Sequence, residues 1–240
     1  MEEIRLNKYL ADCGICSRRD ADKLIGQGVV TVNGQTAVPG LKVVKGRDIV
    51  CVRGERITGP DRKVVLAYYK PAGVVCTERD VHAEKTVTEE IGYPIRITYA
   101  GRLDKDSEGL LIMTNDGMLI DAMMRGANGH EKEYLVKASK AWTKEALDHM
   151  RRGVYLEELQ LTTRPCRIEQ SGPDTIRMIL TQGINRQIRR MCQTQGYEVV
   201  SLKRTRVMNI ELAELKPGEY RELTDRELNV LYEDCGIQNL

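Results

Sequence analysis

The chain has 240 residues, 41% of them hydrophobic and 30% charged, and its formal net charge is +2 at pH 7. This composition is typical of a globular protein, and no apolar run reaches the roughly 18 residues that a membrane helix needs. No signal-peptide pattern precedes the first motif, so neither a membrane partner nor export is expected. The seven cysteines are an odd number. They favour reduced thiols, and therefore a cytoplasmic location, over a disulfide framework.

The sequence offers few residues or motifs that could bind a metal or a cofactor. Cys13 and Cys16 form one C-x-x-C, but no second pair follows at zinc spacing, and the three histidines are far apart. The sequence also lacks a GxxxxGK phosphate loop and a dinucleotide-binding fingerprint. We therefore expect no metal and no cofactor.

Residues 1–60 predict a small domain of two helices and a sheet. Apolar residues of the first helix recur at i, i+3, i+4 and i+7, namely Leu6, Tyr9, Leu10 and Cys13. Ser17, with Asp20 three residues later, marks the start of a second helix, which Gly28 ends. Short strands follow, the first of them closed by the tight-turn pair Asn33-Gly34.

A second domain is predicted over residues 61–240. The stretch from Arg53 to Lys63 lacks periodicity and carries Gly and Pro, which is typical of a linker. Beyond it, strands predominate, among them VVLAYYKP, AGVVCT, EKEYLVKAS, TIRMILTQG and VVSLKRTRVMNIEL. Helices fall between them without a regular crossover pattern, so we predict an α+β domain with a mixed, mainly antiparallel sheet.

The stretch AGRLDKDSEGLLIMTNDG, residues 100–117, crowds charges just before a buried apolar run. A polar turn would account for this, since Asp, Ser and Gly favour turns. A calcium-binding loop does not fit the stretch. Position twelve counted from Asp104 is Asn115, where such a loop needs a bidentate Glu. A catalytic carboxylate is the third interpretation. A hydrolase that pairs Asp104 with Asp106 is a weaker one, because alternate residues of an extended turn point opposite ways.

Three segments carry a family resemblance when taken in order: AGRLDKDSEGLLIMTNDG, EKEYLVKA and QGINRQIRRMCQTQGYEVVSLKRTRVMNIEL. Together they resemble pseudouridine synthases of the ribosomal small-subunit-A type superfamily, and within it they are most similar to the F-type enzymes that modify large-subunit ribosomal RNA. Residues 1–60 resemble the RNA-binding domain named after the fourth small-subunit ribosomal protein. One departure from the pattern is Tyr69, where many relatives have Asn before Lys-Pro.

The resemblance implies an enzyme that flips a uridine out of folded RNA and isomerises it to pseudouridine. Large-subunit ribosomal RNA is the expected substrate, with small-subunit ribosomal RNA or transfer RNA as alternatives. The expected protein is a monomer of the bacterial cytoplasm and needs no cofactor. A rival of another class is a non-catalytic RNA-binding or ribosome-assembly factor that keeps a decayed synthase fold.

The resemblance also assigns roles to individual residues. Asp104 matches the catalytic carboxylate, Tyr134 the ring that stacks on the target base, and Arg189 the cation paired with the catalytic Asp. A guanidinium does not titrate, so Arg189 would keep Asp104 anionic in a dry pocket. Expected RNA-binding cations are Arg5, Lys8, Arg18, Arg19, Lys23, Arg102, Lys105, Arg186 and Arg190. Alone, each of these side chains has an ordinary structural explanation, and only their joint occurrence favours the functional one.

Overall fold

The computed structural model describes residues 3–60, 62–77, 85–125 and 129–237. The chain forms two compact units, the first made of residues 1–64 together with 93–97 and 115–117. The remaining residues form the second unit. In the ranges described, no helix is long and apolar enough to cross a membrane. The domain boundary expected after residue 60 stays a prediction.

The first unit holds two helices against short strands. Its elements are β1 Glu3–Arg5, α1 Leu6–Asp12, α2 Arg18–Gly26, β2 Val30–Val32, β3 Gln35–Thr36, β4 Lys42–Val44, β5 Val50–Val52 and β6 Glu55–Arg56. Strands β3, β2, β5 and β6 lie side by side in that order, and β1 pairs with β4. As the capping pattern predicts, the Ser17 hydroxyl accepts a hydrogen bond from the Asp20 N–H at the start of α2.

Two hairpin turns shape this sheet. Asn33 and Gly34 take positive φ values of 51° and 82° between β2 and β3, as the Asn-Gly signal predicts. Arg53 and Gly54 do the same between β5 and β6, with φ values of 52° and 86°. The prediction that residues 53–63 form only a linker was therefore wrong at its start. An Arg rarely adopts the left-handed region, so the sequence carried no turn signal there.

From residue 65 onward the chain alternates strands and helices. The strands are β7 Val65–Lys70, β8 Thr98–Ala100, β9 Glu108–Thr114, β10 Lys132–Ala138, β11 Tyr155–Leu156, β12 Leu161–Thr162, β13 Arg167–Gln170, β14 Thr175–Leu180, β15 Val199–Val207, β16 Ile210–Glu211 and β17 Tyr220–Glu222. The helices are α3 Val87–Ile91, α4 Gly117–Met124, α5 Lys144–Arg152, α6 Gln187–Thr194 and α7 Asp225–Asp234.

One mixed sheet organises the second unit. Its strand order is β13-β14-β10-β15-β9-β7-β17, with β16 beside β15 and β8 beside β9. Among the described strands, β9 and β15 pair in parallel and the other neighbours of this sheet are antiparallel. The predicted α+β class with a mixed, mainly antiparallel sheet is confirmed.

The prediction that the segment AGVVCT forms a strand was wrong. It forms a turn and an isolated bridge between Val75 and Thr86. Gly73 has a φ of +91°, and its N–H donates to the Lys105 carbonyl rather than to a strand ladder. The consequence is that this segment braces the charged turn from behind.

The sheet carries two hydrophobic clusters that meet along β15. Leu202 belongs to the cluster formed with α5, α6, β10 and β14, and Val207 to the cluster formed with α4, α7, β7 and β9. Arg204 lies between them on the same strand, only 2% exposed. The parallel partner Gly109 makes this possible, since a Cβ on Gly109 would lie 2.3 Å from the Arg204 carbonyl oxygen. An arginine is therefore buried at the seam between the two clusters.

Candidate active site

A cavity of about 370 Å³ opens beside this seam in the second unit. Its walls come from the charged turn, the end of α4, the start of β10, the segment from β14 into α6, and β15. Among the side chains lining it are Arg102, Asp104, Lys132, Tyr134, Arg186 and Arg204. Residues distant in sequence thus meet around one space.

Asp104 lies in a braced turn between β8 and β9. Its carbonyl accepts a hydrogen bond from the Ser107 N–H at 3.1 Å, and the Lys105 carbonyl accepts one from Gly73 at 2.7 Å. The Asp104 side chain is 31% exposed. The stretch is thus a polar turn, as its composition predicts, and it also presents a carboxylate to the cavity.

Arg186 is the cation nearest to that carboxylate among the ion pairs of the described residues. It precedes α6 in the left-handed conformation, with a φ of 51°. Its Nη1 lies 3.8 Å from Asp104 Oδ2, and its two Nη atoms donate to the Asp106 carboxylate at 3.2 and 3.0 Å. The hydrogen bond to Asp106 raises the pKa of Arg186. One guanidinium thus forms ion pairs with both carboxylates of the turn.

Asp106 is held in its ionised form by two arginines. Burial raises the pKa of its carboxyl, but the Arg186 hydrogen bond and the Arg189 charge outweigh that effect, and the pKa falls below its usual value. The side chain is 47% exposed, so the pairing is worth little to folding stability. Its effect is to fix the position of Arg186.

Arg189 contacts the turn differently from the expected pairing. Its Nη2 donates to the Asp106 carbonyl at 2.9 Å and to Ser107 Oγ at 3.3 Å, and its Nε lies 3.3 Å from Asp106 Oδ2. In the described residues it forms no ion pair with Asp104 and does not line the cavity. Arg189 lies about one turn further along α6 than Arg186 and reaches the turn from behind. The structure therefore pairs Asp104 with Arg186 and uses Arg189 as a brace.

Tyr134 lies where the alternation of β10 predicts. It is half-buried, packs against the first cluster, and lines the cavity. Its direct cross-strand partner on β15 is Arg204, and Lys132 lies two residues earlier on the same face of β10. The strand neighbours of Tyr134 that line the cavity with it are therefore two cations.

Sequence reasoning missed both of these cations. The Arg204 Nε donates to the Leu110 carbonyl at 2.7 Å and its Nη1 to the Arg102 carbonyl at 3.3 Å. The sequence motifs assigned no role to Lys132 or Arg204. The available signal was the two-residue alternation of β15, which puts Arg204 on the same face as buried Leu202.

Lys70 was missed as well. It is fully buried, and its ammonium donates to the carbonyls of Pro71 and Val74 at 2.7 and 2.8 Å. Burial lowers the pKa of this lysine. Because both acceptors belong to the segment behind the charged turn, Lys70 secures that segment to the end of β7.

The predicted RNA-binding cations of the second unit fall into different positions. Arg102 is exposed and lines the cavity beside Arg186, while Lys105 is exposed on the turn. Arg190 forms an ion pair with Glu158 and donates to the Asn185 carbonyl at 3.2 Å. Only Arg102 and Arg186 of this group therefore border the cavity.

The predicted RNA-binding cations of the first unit lie on or beside its two helices. Lys8 pairs with Asp12 and Lys23 with Asp20, each at 2.9 Å. The other three members are exposed, and they are Arg5, Arg18 and Arg19. In the described ranges, no three His, Cys, Asp or Glu side chains are grouped as a metal ion would require.

Comparisons with known proteins agree with this architecture. Residues 64–194 match the RNA pseudouridylate synthase family, and residues 4–49 match the S4 domain. The dual-specificity RNA pseudouridine synthase RluF of Salmonella typhi is 46% identical over 231 residues, covering 95% of this chain and 78% of that protein. The ribosomal large subunit pseudouridine synthase B of Bacillus subtilis is 36% identical, covering 95% of this chain and 95% of that protein. A crystal structure of a pseudouridylate synthase superposes with a TM-score of 0.71 at 28% identity, covering 95% of this chain and 99% of that one.

Proposed function

The chain belongs to the RNA pseudouridylate synthase family, and from this we propose that it isomerises uridines of large-subunit ribosomal RNA with Asp104 as the nucleophile. The reaction breaks the bond between N1 of uracil and C1′ of the ribose, turns the base, and joins C5 to C1′. No atom is gained or lost overall. The protein must therefore bind RNA, admit one nucleotide, and supply a nucleophile.

The observation that carries the proposal is the meeting of Asp104, Tyr134 and Arg186 around one cavity. Its volume of about 370 Å³ is in the range of small-ligand pockets and suits a single flipped nucleotide. Asp104 supplies a carboxylate oxygen that can attack either C6 of the base or C1′ of the sugar. Arg186, 3.8 Å away, supplies the positive charge beside it.

Tyr134 supplies the surface for the flipped base. Taking a base out of an RNA stack costs a few kcal/mol, and stacking on an aromatic ring recovers about 1–3 kcal/mol. Tyr134 lines the cavity from a strand whose other inward residues are packed in the first cluster. Its ring is thus supported from behind and does not need to order on binding.

The first unit suits a positioning role. Arg18 and Arg19 lie in the first turn of α2, where helix N–H groups and cations both favour phosphate. Such contacts hold RNA without reading its sequence and weaken with salt. Choice of the target uridine then depends on how the substrate's shape fits both surfaces.

The activities for which the relatives are named favour a ribosomal target. One is a synthase of the large ribosomal subunit and another is described as having dual specificity. Small-subunit ribosomal RNA and transfer RNA are the alternatives within the same chemistry. A non-catalytic assembly factor is the alternative outside it, which the presence of Asp104, Tyr134 and Arg186 in one cavity disfavours.

The test uses transcribed large-subunit ribosomal RNA labelled with tritium at C5 of uridine. Wild-type protein should release tritium, and Asp104→Asn should lower the rate by more than about 10³-fold, because the amide is not a nucleophile. Asp148→Asn makes the same chemical change on α5, where the side chain is 41% exposed and does not line the cavity, and it should retain the wild-type rate. Release by Asp104→Asn at the wild-type rate would refute the assigned nucleophile.

The substrate is tested by repeating the assay with small-subunit ribosomal RNA and transfer RNA. Release from either at a higher kcat/KM would move the target to that RNA. Tight binding without release from any of the three would support the assembly-factor alternative.

A further inference from the structure

The two cavity-lining cations that are buried or half-buried, Arg204 and Lys132, have no carboxylate partner among the described residues. In the described part of the chain, no carboxylate oxygen lies within 4.0 Å of Lys132 or Arg204, whereas Arg186 has two carboxylates. Arg204 is 2% exposed, and its buried Nη2 has no hydrogen-bond partner among the described residues. Burying a charge without a counter-charge is unfavourable, so an unfilled donor on a buried cation suggests that a bound group completes it.

The remaining donors of the two residues belong to the same wall. Lys132 uses one of its three N–H groups on the His130 carbonyl at 3.2 Å. Arg204 donates through Nε to the Leu110 carbonyl and through Nη1 to the Arg102 carbonyl, and these bonds do not use Nη2. Direct cross-strand neighbours have Cβ atoms about 4.5–5.5 Å apart, so the side chains of Arg204 and Tyr134 start next to each other. Lys132 and Arg204 therefore line the same cavity as the ring proposed to hold the base.

The two cations also repel each other. Burial, and after it the charge of Arg204, lower the pKa of Lys132. An acceptor with negative charge placed between them would relieve this repulsion. A neutral carbonyl would satisfy the hydrogen bonds but not the charge.

We propose that Lys132 and Arg204 hold the uracil ring of the flipped uridine and stabilise the negative charge that it acquires during isomerisation. This inference rests on the proposed function. In attack at C1′, the N1–C1′ bond breaks and its electron pair passes to the ring, where N1 and O2 share the charge. The ring then bonds to C1′ through C5, the Asp104 carboxylate leaves with its own electron pair, C5 loses its proton and N1 takes one up.

The alternative route places charge on the ring too. When a carboxylate oxygen of Asp104 bonds to C6, the electron pair of the C5–C6 double bond passes toward O4 as an enolate. Fixed donors facing an oxygen on which charge develops stabilise the transition state more than the bound substrate. The two cations therefore act in either route.

A backbone phosphate is the competing ligand for the same donors. The cavity already has three exposed cations for phosphate, Arg102, Arg125 and Arg186. Arg204, in contrast, is nearly inaccessible and is held by backbone carbonyls. Its depth fits a base that has entered the cavity better than a hydrated phosphate.

The experiment compares Lys132→Met with Lys132→Arg on RNA that carries uridine or 5-fluorouridine at the target position. Fluorine at C5 makes the ring a better anion, so that substrate depends less on protein cations. Lys132→Met should lower kcat on uridine about 100-fold with KM changed less than about 3-fold. With 5-fluorouridine, C5 carries fluorine and has no proton to lose after it bonds to C1′, so water adds at C6 and the hydrated, rearranged nucleoside is followed in single turnover after nuclease digestion. The loss of rate in Lys132→Met should be at least several-fold smaller on this substrate, and Lys132→Arg should restore most of the rate on uridine.

Lys137→Met is the matched control, since it makes the same change on the exposed face of the same strand. It should behave as wild type with both substrates. Thermal unfolding midpoints of all three variants show whether each is folded.

Three results would overturn the inference while leaving the proposed function intact. Full activity of Lys132→Met would show that the cation is not needed. An increase in KM with a smaller salt dependence would assign the cations to phosphate. Equal losses on both substrates without rescue by Lys132→Arg would assign a structural role. An inactive wild-type protein would instead overturn the proposed function, and the inference with it.

Discussion

Cations occupy two regions of this molecule in very different ways. In the first unit they lie exposed on or beside α1 and α2, with Arg18 and Arg19 as examples. Beside the cavity of the second unit, Arg204 is buried and Lys132 half-buried, and both are held by backbone carbonyls. Exposed cations keep their hydration and can bind any phosphate. Buried cations lose most of their hydration and suit one particular group. In the function proposed here, the exposed cations would hold RNA and the buried ones would act on a single nucleotide.

The largest expected effect concerns the glycine that allows Arg204 to be buried. Gly109→Ala should lower the free energy of unfolding by about 2–5 kcal/mol, because Gly109 has a φ of +106° and a Cβ would overlap the Arg204 backbone. Urea denaturation measures the change. Gly183→Ala, with no heavy atom within 4 Å of the added Cβ, is the control and should stay close to wild type. Equal stability of the two variants would show that the seam does not need close approach of β9 and β15.

The next effect distinguishes the arginines of α6 and its cap. Arg186→Ala should lower kcat about 10- to 100-fold, because it removes the positive charge 3.8 Å from Asp104. Arg190→Ala, which removes an ion pair with Glu158 and a hydrogen bond to the Asn185 carbonyl but no contact with Asp104, should change kcat less than about 3-fold. Single-turnover rates on the labelled RNA give both values.

Arg189→Ala sharpens the same comparison. It removes the bonds to the Asp106 carbonyl and to Ser107, so it should lower thermal stability more than Arg186→Ala does. A larger loss of kcat for Arg189→Ala with unchanged stability would return the pairing role to Arg189.

The smallest effect belongs to the exposed region. The double variant Arg18→Ala and Arg19→Ala should raise KM by similar factors for all RNAs and leave kcat unchanged. Each lost phosphate contact should also reduce the slope of log affinity against log salt by about 0.7–0.9. Binding titrations at several salt concentrations test this. A loss confined to one RNA would mean that these residues read sequence or shape, and would weaken the contrast between the two regions.

Local signals predicted much of the fold. The cap at Ser17 and the Asn33-Gly34 turn depend on neighbouring residues only, and both are present in the structure. The alternation of β10 placed Tyr134 on the inward face for the same reason. The left-handed turn at Arg53-Gly54 escaped prediction because an arginine at that position carries no local turn signal.

The sequence predicted which residues form the site more fully than it predicted which of them contact each other. Asp104 and Tyr134 were chosen through family motifs, and both line the cavity. The partner of Asp104 depends on the left-handed backbone of Arg186 and on where α6 meets the turn, neither of which the motif specifies. Buried Arg204 depends on the parallel pairing of β9 with β15, which joins residues nearly a hundred positions apart.

By itself, the sequence determined the order of its motifs, the periodicity of its elements and the positions of its caps. These follow from interactions between residues close in the chain. Only the tertiary structure decided which arginine lies nearest to Asp104 and which arginine braces the turn. It also decided that the two buried or half-buried cations of the cavity have no carboxylate partner among the described residues. Charge pairing falls off with distance and depends on burial, and both quantities are set by packing between distant segments.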